Sequence, residues 1–539
     1  MGAPGGHGAL APMIGAAVLA MPAIVADAQS LQFSNQTAAA GVANTYSMSM
    51  NIGSLPFYAG GACGDFNRDG WQDLYVLSGS TGPDRLFINN GDGTFTDQAA
   101  AWGVAATHNG VGAAVADFDA DGWLDIFVTS FGDGATRQAG RHRLYRNNGG
   151  ESFSDVALPA GVAYSSPAAG DGFSASFGDY DLDGDLDLAV AGWFVNTGGN
   201  RLFQNNGDGT FTDVTATAIL REMQSVRGFT PAFVDMNRDR WPELLWVADF
   251  GTTTYLVNNR DGTFSDATTT AGVGMESNGM GQTIGDFDND RRLDWYVTSI
   301  DRSIPPPGSE PGNMLYHNLA QHAYQEIGLA AGVRHGAYGW GTVATDFDND
   351  GLLDLVEHNG WNDIEYLLIP PFAFRNNGNL TFDDVTGAVG LDEPMDGRGM
   401  LHFDADNDGD QDLVFFNFNQ PLRFYRNELA GPGANYLRVF LDTRARPDLA
   451  PDGIGARVSV RVGPAVQVRT VQANSSYLSQ SEMSAHFGLG AAQSVTELRI
   501  RWASGESTIL RNVTANQTLT IAAPLLSNSG PFSPAGAGG

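Results

Sequence analysis

Seven acidic nonapeptides carry the first chemistry legible in this chain. They begin at Asp65, Asp117, Asp179, Asp235, Asp286, Asp346 and Asp404, 51 to 62 residues apart. Each places oxygen-bearing side chains at positions 1, 3, 5 and 9. The first holds Asp65, Asn67, Asp69 and Asp73; the second Asp117, Asp119, Asp121 and Asp125; the third Asp179, Asp181, Asp183 and Asp187. The fourth holds Asp235, Asn237, Asp239 and Glu243, and the fifth Asp286, Asp288, Asp290 and Asp294. The sixth holds Asp346, Asp348, Asp350 and Asp354, and the seventh Asp404, Asp406, Asp408 and Asp412. Oxygens at alternate positions of a tight loop converge on one centre, which is what Ca²⁺ needs with its six to eight oxygen ligands at roughly 2.3–2.6 Å. Position 6 is glycine in five copies and supplies the positive-φ turn that a residue with a Cβ resists. Up to seven structural Ca²⁺ ions are therefore expected. Each ligand set is complete within its own loop, whereas a catalytic metal keeps an open position facing a pocket.

Two copies depart from the pattern. Loops four and five carry Arg240 and Arg291 at position 6, and loop four ends in Glu243, one carbon longer than aspartate. They either hold a metal like the others or keep their turn without one.

The elements that must position these loops are strands. Small-residue runs such as Gly112-Ala-Ala-Val-Ala116 precede the loops, and Ile126-Phe-Val-Thr129 or Leu188-Ala-Val190 follow them. A third run, Arg85-Leu-Phe-Ile88 or Arg201-Leu-Phe-Gln204, leads through Asn-Asn-Gly-Asp-Gly into a fourth, Thr94-Phe-Thr-Asp97 or Thr210-Phe-Thr-Asp213. Asn and Gly at such turns are hairpin chemistry. Four antiparallel strands recurring about every 57 residues predict a seven-bladed β-propeller. A calcium-binding helix pair is excluded, because strand residues follow position 9 and position 12 is Glu in the sixth loop alone, at Glu357. The seventh unit lacks its fourth strand, and the missing sequence stands ahead of the first unit as Leu31-Gln-Phe-Ser-Asn-Gln-Thr37. That segment is expected to complete the last blade and remove an open sheet edge.

These units resemble the FG-GAP/VCBS repeats of integrin-α-type propellers, a resemblance that covers about Leu31 to Asn427 and implies Ca²⁺ in the outer loops. After Gly431-Pro-Gly433 the acidic repeat stops, and alternating runs begin, Asn435-Tyr-Leu-Arg-Val-Phe-Leu441 and Ala456-Arg-Val-Ser-Val-Arg-Val462 among them. They predict half-buried strands of a small sandwich. Its segments Gly453-Ile-Gly-Ala-Arg457, Ser476-Tyr-Leu-Ser-Gln480, His486-Phe-Gly-Leu-Gly490 and Arg501-Trp-Ala-Ser-Gly505 resemble the ASPIC/UnbV domain. The two modules in this order resemble the cartilage-acidic-protein-like family, which implies secretion. The chain thus reads as all-β: a seven-bladed propeller closed by an N-terminal strand over 29–430, a β-sandwich-like domain over 431–525, and a disordered tail over 526–539.

Loops between blades gather at the mouth of a propeller channel. Here they carry His108, Asn109, Glu222, Arg227, Glu276, Asn278, His335, Tyr338, Trp340, Asp396 and Arg398, and the loops between second and third strands add Phe131, Trp193, Phe250, His358 and Trp361. From this set His108, Glu222, Arg227, Glu276, His335, Trp340, Trp361, Asp396 and Arg398 are the candidate ligand-binding residues. Convergent polar and aromatic groups are the usual composition of a ligand site. They are equally compatible with hydrogen-bonding braces, and a catalytic use is a third possibility. His486 reads as a side chain that fixes a turn.

Charge limits the partners. The formal charge is −32 with no lysine, and 26 of the 61 carboxylates sit at positions 1, 3, 5 and 9 of the seven loops. Nucleic acid and anionic membrane are unsuited, because phosphate binding needs clustered positive charge. Cys63 is the single cysteine, so no intrachain disulfide forms; it reads as a small buried residue or as a reactive thiol. Ala9 to Ala26 is apolar and precedes Ala26-Asp27-Ala28, so residues 1–28 read as an export signal, without a retained membrane span. The sequence shows no phosphate-cradling loop, Gly-x-Ser-x-Gly elbow or His-Glu-x-x-His helix. The leading reading is a secreted or periplasmic, monomeric calcium-binding propeller that recognises an extracellular protein or glycan. The alternative is an extracytoplasmic enzyme, a polysaccharide lyase or natural-product tailoring enzyme, acting at the channel mouth.

Overall fold

The computed structural model describes Gly2 and residues 31–525, apart from 49–55, 133–140, 165–170, 197, 220, 302–310, 362–365 and 367–368; at 221–222 only the backbone is described. The expected leader and tail lie outside the described residues. The chain is all-β and propeller-like. Every acidic loop joins the first two strands of an antiparallel sheet, and among the described residues seven such sheets occur. The third is representative: Ala175–Gly178, Asp187–Val190, Arg201–Asn205 and Phe211–Asp213 pair in that order. Gly178 pairs with Asp187, so position 9 of the loop is the first residue of the second strand.

Two recurrent contacts join each sheet to its neighbour. The first is made by the Asn that ends the third strand. Asn205 donates from Nδ2 to the Phe118 carbonyl of the preceding loop at 2.8 Å, and Asn147 and Asn376 do the same to Phe66 and Phe287 at 2.9 and 2.8 Å. Asn89 of the first sheet donates to Ala405 of the seventh loop at 2.7 Å. The second contact is aromatic. Position 2 of a loop meets the buried Phe of the next sheet's fourth strand, as in Phe66–Phe153 at 5.9 Å, Phe118–Phe211 at 5.8 Å and Tyr180–Phe264 at 5.5 Å. For the sixth loop that partner is Phe33, 5.6 Å from Phe347. Phe33–Asn35 pairs antiparallel with Arg423–Asn427.

The C-terminal segment forms two sheets. Asn435–Asp442 lies between Ala485–Gly490 and Gln517–Ala522; Arg457–Val462 lies between Ala465–Thr470 and Ser494–Arg501, with Ser507–Thr514 at the edge. Between these strands the chain leaves the sandwich and enters the repeat region. Ser479–Gln480 pairs in parallel with Gly61–Ala62. The Leu478 carbonyl accepts from Ala113 N at 3.2 Å and the Ser476 carbonyl from Gln282 N at 2.9 Å. Tyr477 is fully buried, donates to the Phe57 carbonyl at 2.9 Å and packs on Phe229 and Trp340. This insertion explains the small residues of the first strands: a Cβ on Gly60 would lie 2.1 Å from the Leu478 carbonyl, and one on Gly399 2.3 Å from Ser479 Oγ.

Candidate functional site

Backbone amides shape the acidic loops. In loop three Asp183 N and Gly184 N both donate to Asp179 at 3.1 Å, and Asp187 accepts from Tyr180 N and Asn205 N. Position 9 thereby ties the loop to the second and third strands. Ligand atoms from Asp117, Asp119 and Asp125, from Asp179, Asp181 and Asp187, from Asp346, Asp348 and Asp354, and from Asp404, Asp406 and Asp408 each lie within 4.8 Å of one another. Such clusters can hold a metal ion, and two observations fit one. First, Asp117 Oδ1, Asp181 Oδ1, Asp286 Oδ1 and Asp406 Oδ1 are buried without a hydrogen-bond partner. A buried carboxylate oxygen costs free energy unless it is paired. Second, burial followed by neighbouring carboxylates pushes Asp179 up to about 8, and burial together with Asp452 and the loop's own aspartates does the same to Asp117. Burial raises Asp73 to about 8, and Asp286 and Asp404 to about 7. A divalent cation inverts that penalty, because an opposite charge favours the ionised form.

Loops one, four and five are built differently. Asn67 donates to Asp69 at 2.8 Å in loop one. Arg240 and Arg291 adopt the positive φ of the glycines they replace, 86° and 75°. Neither guanidinium crowds the ligand centre with charge. Arg240 extends away to the carbonyls of Ser504 and Ala503 at 2.7 and 3.3 Å, and Arg291 is exposed to solvent. Two histidines that sequence reasoning missed stand at these loops. His317 Nδ1 lies 3.1 Å from Asp294, and His322 Nε2 lies 3.0 Å from Asn237. The signal was available, since His317 occupies the place of Ile88 and Gln204, and the turn around Gln321 and His322 replaces Asn-Asn-Gly-Asp-Gly.

The C-terminal module rests on the acidic-loop side. Arg438 bonds Asp404 at 3.2 Å and Asn407 at 2.7 Å and pairs with Glu482, while Gly488 N donates to Asp346 at 3.0 Å. Arg501 reaches the Arg238 carbonyl at 3.3 Å. His486 is buried, with Nε2 3.1 Å from the Gly409 carbonyl, and desolvation lowers it to about 3.

At the opposite end the expected mouth residues divide into two groups, and the structure corrects part of the set. Trp340, Glu276, Asp396 and Arg398 are buried rather than presented to a ligand. Trp340 Nε1 donates to the Gly360 carbonyl at 2.7 Å. Arg398 bonds Asp396 at 2.9 Å and the Pro56 carbonyl, with Trp340 5.0 Å from its guanidinium. Glu276 accepts from Tyr316 Oη. His358 is fully buried and desolvation lowers it to about 3. His108 pairs with buried Asp84 at 2.8 Å. The side chain of Glu222 lies outside the described residues. The open group is Trp193, Arg227, Phe250, His335 and Trp361. Arg227 lies 4.7 Å over Trp193 and 5.1 Å over Phe250, and Phe250 is 62% exposed at a φ of 53°. Trp193 Nε1 donates to Asp249 at 2.9 Å. Half-buried Trp361 stacks on Tyr338 at 4.9 Å, and His335, largely exposed, pairs with Asp301 at 2.7 Å. Phe57 bridges the two groups, 5.6 Å from Trp193 and Trp361 of the open set and 5.7 Å from Trp340 of the buried one.

Comparison with known proteins gives both modules a family. Residues 65–128, 133–190, 179–246 and 235–297 match the FG-GAP-like repeat, and residues 447–525 match the ASPIC and UnbV domain. The chain is similar to cartilage acidic protein 1 of Homo sapiens, 25% identical over 505 residues that cover 87% of this chain and 64% of the relative. It is 28% identical to cartilage acidic protein 1 of Xenopus tropicalis over 365 residues, 61% of this chain and 53% of the relative. The aligned part thus spans between half and two thirds of these curated relatives. Among solved structures, an Agrocybe aegerita lectin that recognises non-reducing terminal N-acetylglucosamine is 17% identical with a TM-score of 0.38, over 65% of this chain and 87% of that one. A rhamnogalacturonan lyase is 15% identical with a TM-score of 0.38, over 68% and 71%. Likenesses this distant carry no argument about activity.

Proposed function

We propose that this chain, with FG-GAP-like repeats and a C-terminal ASPIC and UnbV domain, is a secreted calcium-stabilised propeller that recognises an extracellular protein or glycan. Seven blades form the ring, over 29–430, and the N-terminal strand closes it; the module over 431–525 caps the acidic-loop side. Support for closure comes from Asn89 bonding Ala405 and from Phe33 pairing beside Asn427 while packing on Phe347. The single observation that carries the calcium reading is the set of buried carboxylate oxygens that converge without a partner. Hard oxygen donors on alternate positions select Ca²⁺ over softer ions, and extracellular calcium suits loops of this kind. The chain is taken as secreted or periplasmic and monomeric; among the described residues no helix is long and apolar enough to cross a membrane.

Recognition is assigned to the open group at the mouth. An exposed Phe at positive φ beside a guanidinium stacked on tryptophan is costly to maintain for packing alone, and such strain collects at functional sites. Aromatic faces with one cation suit sugar rings or an aromatic-rich protein loop. The test is a glycan array and extracellular-protein pull-down on the calcium-loaded chain, repeated with Phe250→Ala and Trp193→Ala. Retained binding by both variants would move recognition elsewhere. The enzyme reading would gain from turnover of an acidic polysaccharide that His335→Ala abolishes.

A further inference from the structure

The residue that precedes the third-strand Asn faces position 3 of its own acidic loop. Gln204 donates to Asp181 at 2.7 Å, and Arg426 pairs with Asp406. Amide and guanidinium groups there act as hydrogen donors to the ligand set. In the fifth sheet the same place holds His317, with 14% of its side chain exposed. Its ring nitrogen and one carboxylate oxygen each from Asp288 and Asp290 lie within 4.8 Å of one another. In the same loop Asp286 is 1% exposed and its Oδ1 has no partner.

Loop four gains a histidine by another route. The Asn237 amide is oriented by its Oδ1, which accepts from Asp239 N at 2.8 Å. Its Nδ2 therefore points at Asp239 Oδ2 at 2.9 Å, Glu243 Oε1 at 3.3 Å and His322 Nε2 at 3.0 Å. An amide nitrogen has no lone pair to offer, so His322 Nε2 is the acceptor, and Nδ1 carries the hydrogen toward Tyr255 Oη at 2.9 Å. Two carboxylates and one imidazole lone pair thus face the NH₂ group of Asn237, which fills the space between them. The close approach of carboxylates and imidazole is therefore found in loop five rather than loop four.

We propose that loop five binds a first-row transition ion of the Zn²⁺ class instead of calcium, through Asp288, Asp290 and His317. Imidazole suits Zn²⁺, Co²⁺ and Ni²⁺, whereas calcium sites are built from oxygens. Carboxylate plus imidazole is also a familiar zinc donor set. Arg292 now sits on Asp290, and its Nε donates to the Asn318 carbonyl at 2.6 Å. Its side chain is 34% exposed, so the guanidinium nitrogen on Asp290 can turn to solvent when the ion enters.

The inference rests on the reading that acidic loops bind cations. The experiment uses the full chain, stripped with chelator, dialysed into about 1 mM Ca²⁺ with equimolar Zn²⁺ or Co²⁺, and measured for bound metal. One transition ion per chain is expected beside the calcium. His317→Ala should lose it and leave calcium unchanged, while His322→Ala keeps it. His317→Asp, which restores an oxygen donor, should exchange one transition ion for one calcium. Cobalt bound to the parent protein should show the visible bands of a nitrogen-containing site, a readout that no variant needs to fold for. Seven calcium ions with no zinc, or zinc retained in full by His317→Ala, would overturn this inference and leave the calcium reading standing. Failure to bind either metal would overturn both.

Discussion

The two ends of the repeat region solve opposite problems. At the acidic-loop end, charge is concentrated and then covered: Arg438, Gly488 and Arg501 of the C-terminal module all reach loop atoms. At the mouth, aromatic rings gather around Phe57, some sealed and some open to solvent. Repetition governs the first end, because an acidic loop joins the first two strands in every one of these sheets. The second end has no repeated element, since each linking loop differs in length and composition, as loops that carry function commonly do. Metal removal should therefore damage the first end and reach the second only through unfolding.

That contrast gives the largest expected effect. One site at a free ligand concentration 100 times its Kd stabilises the native state by about 2.7 kcal/mol, and several such sites act together. Chelation of the purified chain should lower Tm by more than about 10 °C, a shift that a few kcal/mol suffices to produce in a domain of this size. The C-terminal module should melt with the ring, because its ion pairs and its inserted segment end on the loops and first strands. Calorimetry in excess chelator decides: an unchanged transition, or a module that melts separately, would break the comparison.

The joint between the two ends is Tyr477. It comes from the C-terminal module, passes through the first strands and packs on Trp340, which belongs to the mouth. Tyr477→Ala should cost about 3–5 kcal/mol, the range for deleting a fully buried aromatic side chain, and Trp340→Ala should cost a similar amount. Denaturant titration of both variants checks this. A loss below 1 kcal/mol in either would mean that the insertion packs more loosely than its burial implies.

The sequence made the loops, the strands and the returning N-terminal segment legible because each repeats. The carboxylate at position 9, Asp in six loops and Glu243 in the fourth, always opens a strand, and Phe33 could be recognised by likeness to Phe95. The insertion of residues 473–482 was not legible. Tyr477 and Leu478 lie between Ser and Gln residues, and nothing local says that their partners are glycines more than 75 residues away in sequence. Trp340 and Arg398 were misplaced for the same reason: a loop position shows residue type but not the Phe57 and Tyr477 rings that enclose it. The histidines at loops four and five broke the repeat pattern, yet their direction depends on a neighbouring sheet.

A smaller effect sharpens the loop end through pH. Asp117 and Asp179 are held near 8 in the metal-free fold, above the ordinary carboxylate value of about 3.9. A folded-state value raised above the unfolded one means that the native state binds more protons. Its stabilising contribution is complete below about pH 4 and is lost as pH rises toward 8. Urea midpoints of the chelated chain should therefore fall between pH 5 and about 8, and calcium should abolish or reverse the trend, since ionised ligands bind it best. A chelated midpoint that rises across this interval would show that these carboxylates are already ionised and paired without metal.

The smallest stability change should come from the open side of the mouth. Phe250 is 62% exposed and Trp193 is half-buried, so truncating Phe250 removes little packed surface. Exposed substitutions usually stay within about 0.5 kcal/mol of the parent, and relief of the positive φ is not gained by Ala, which keeps a Cβ. Phe250→Ala should leave Tm within about 2 °C yet weaken partner binding at least tenfold, a loss of about 1.4 kcal/mol. Trp340→Ala should do the reverse in proportion, losing stability first and binding only through it. Measured side by side, the two variants separate a scaffold ring from a recognition ring within a single aromatic cluster. Equal losses of stability in both would mean that Phe250 is a packing residue whose exposure is incidental, and recognition would then have to lie on the outer strands of the C-terminal module.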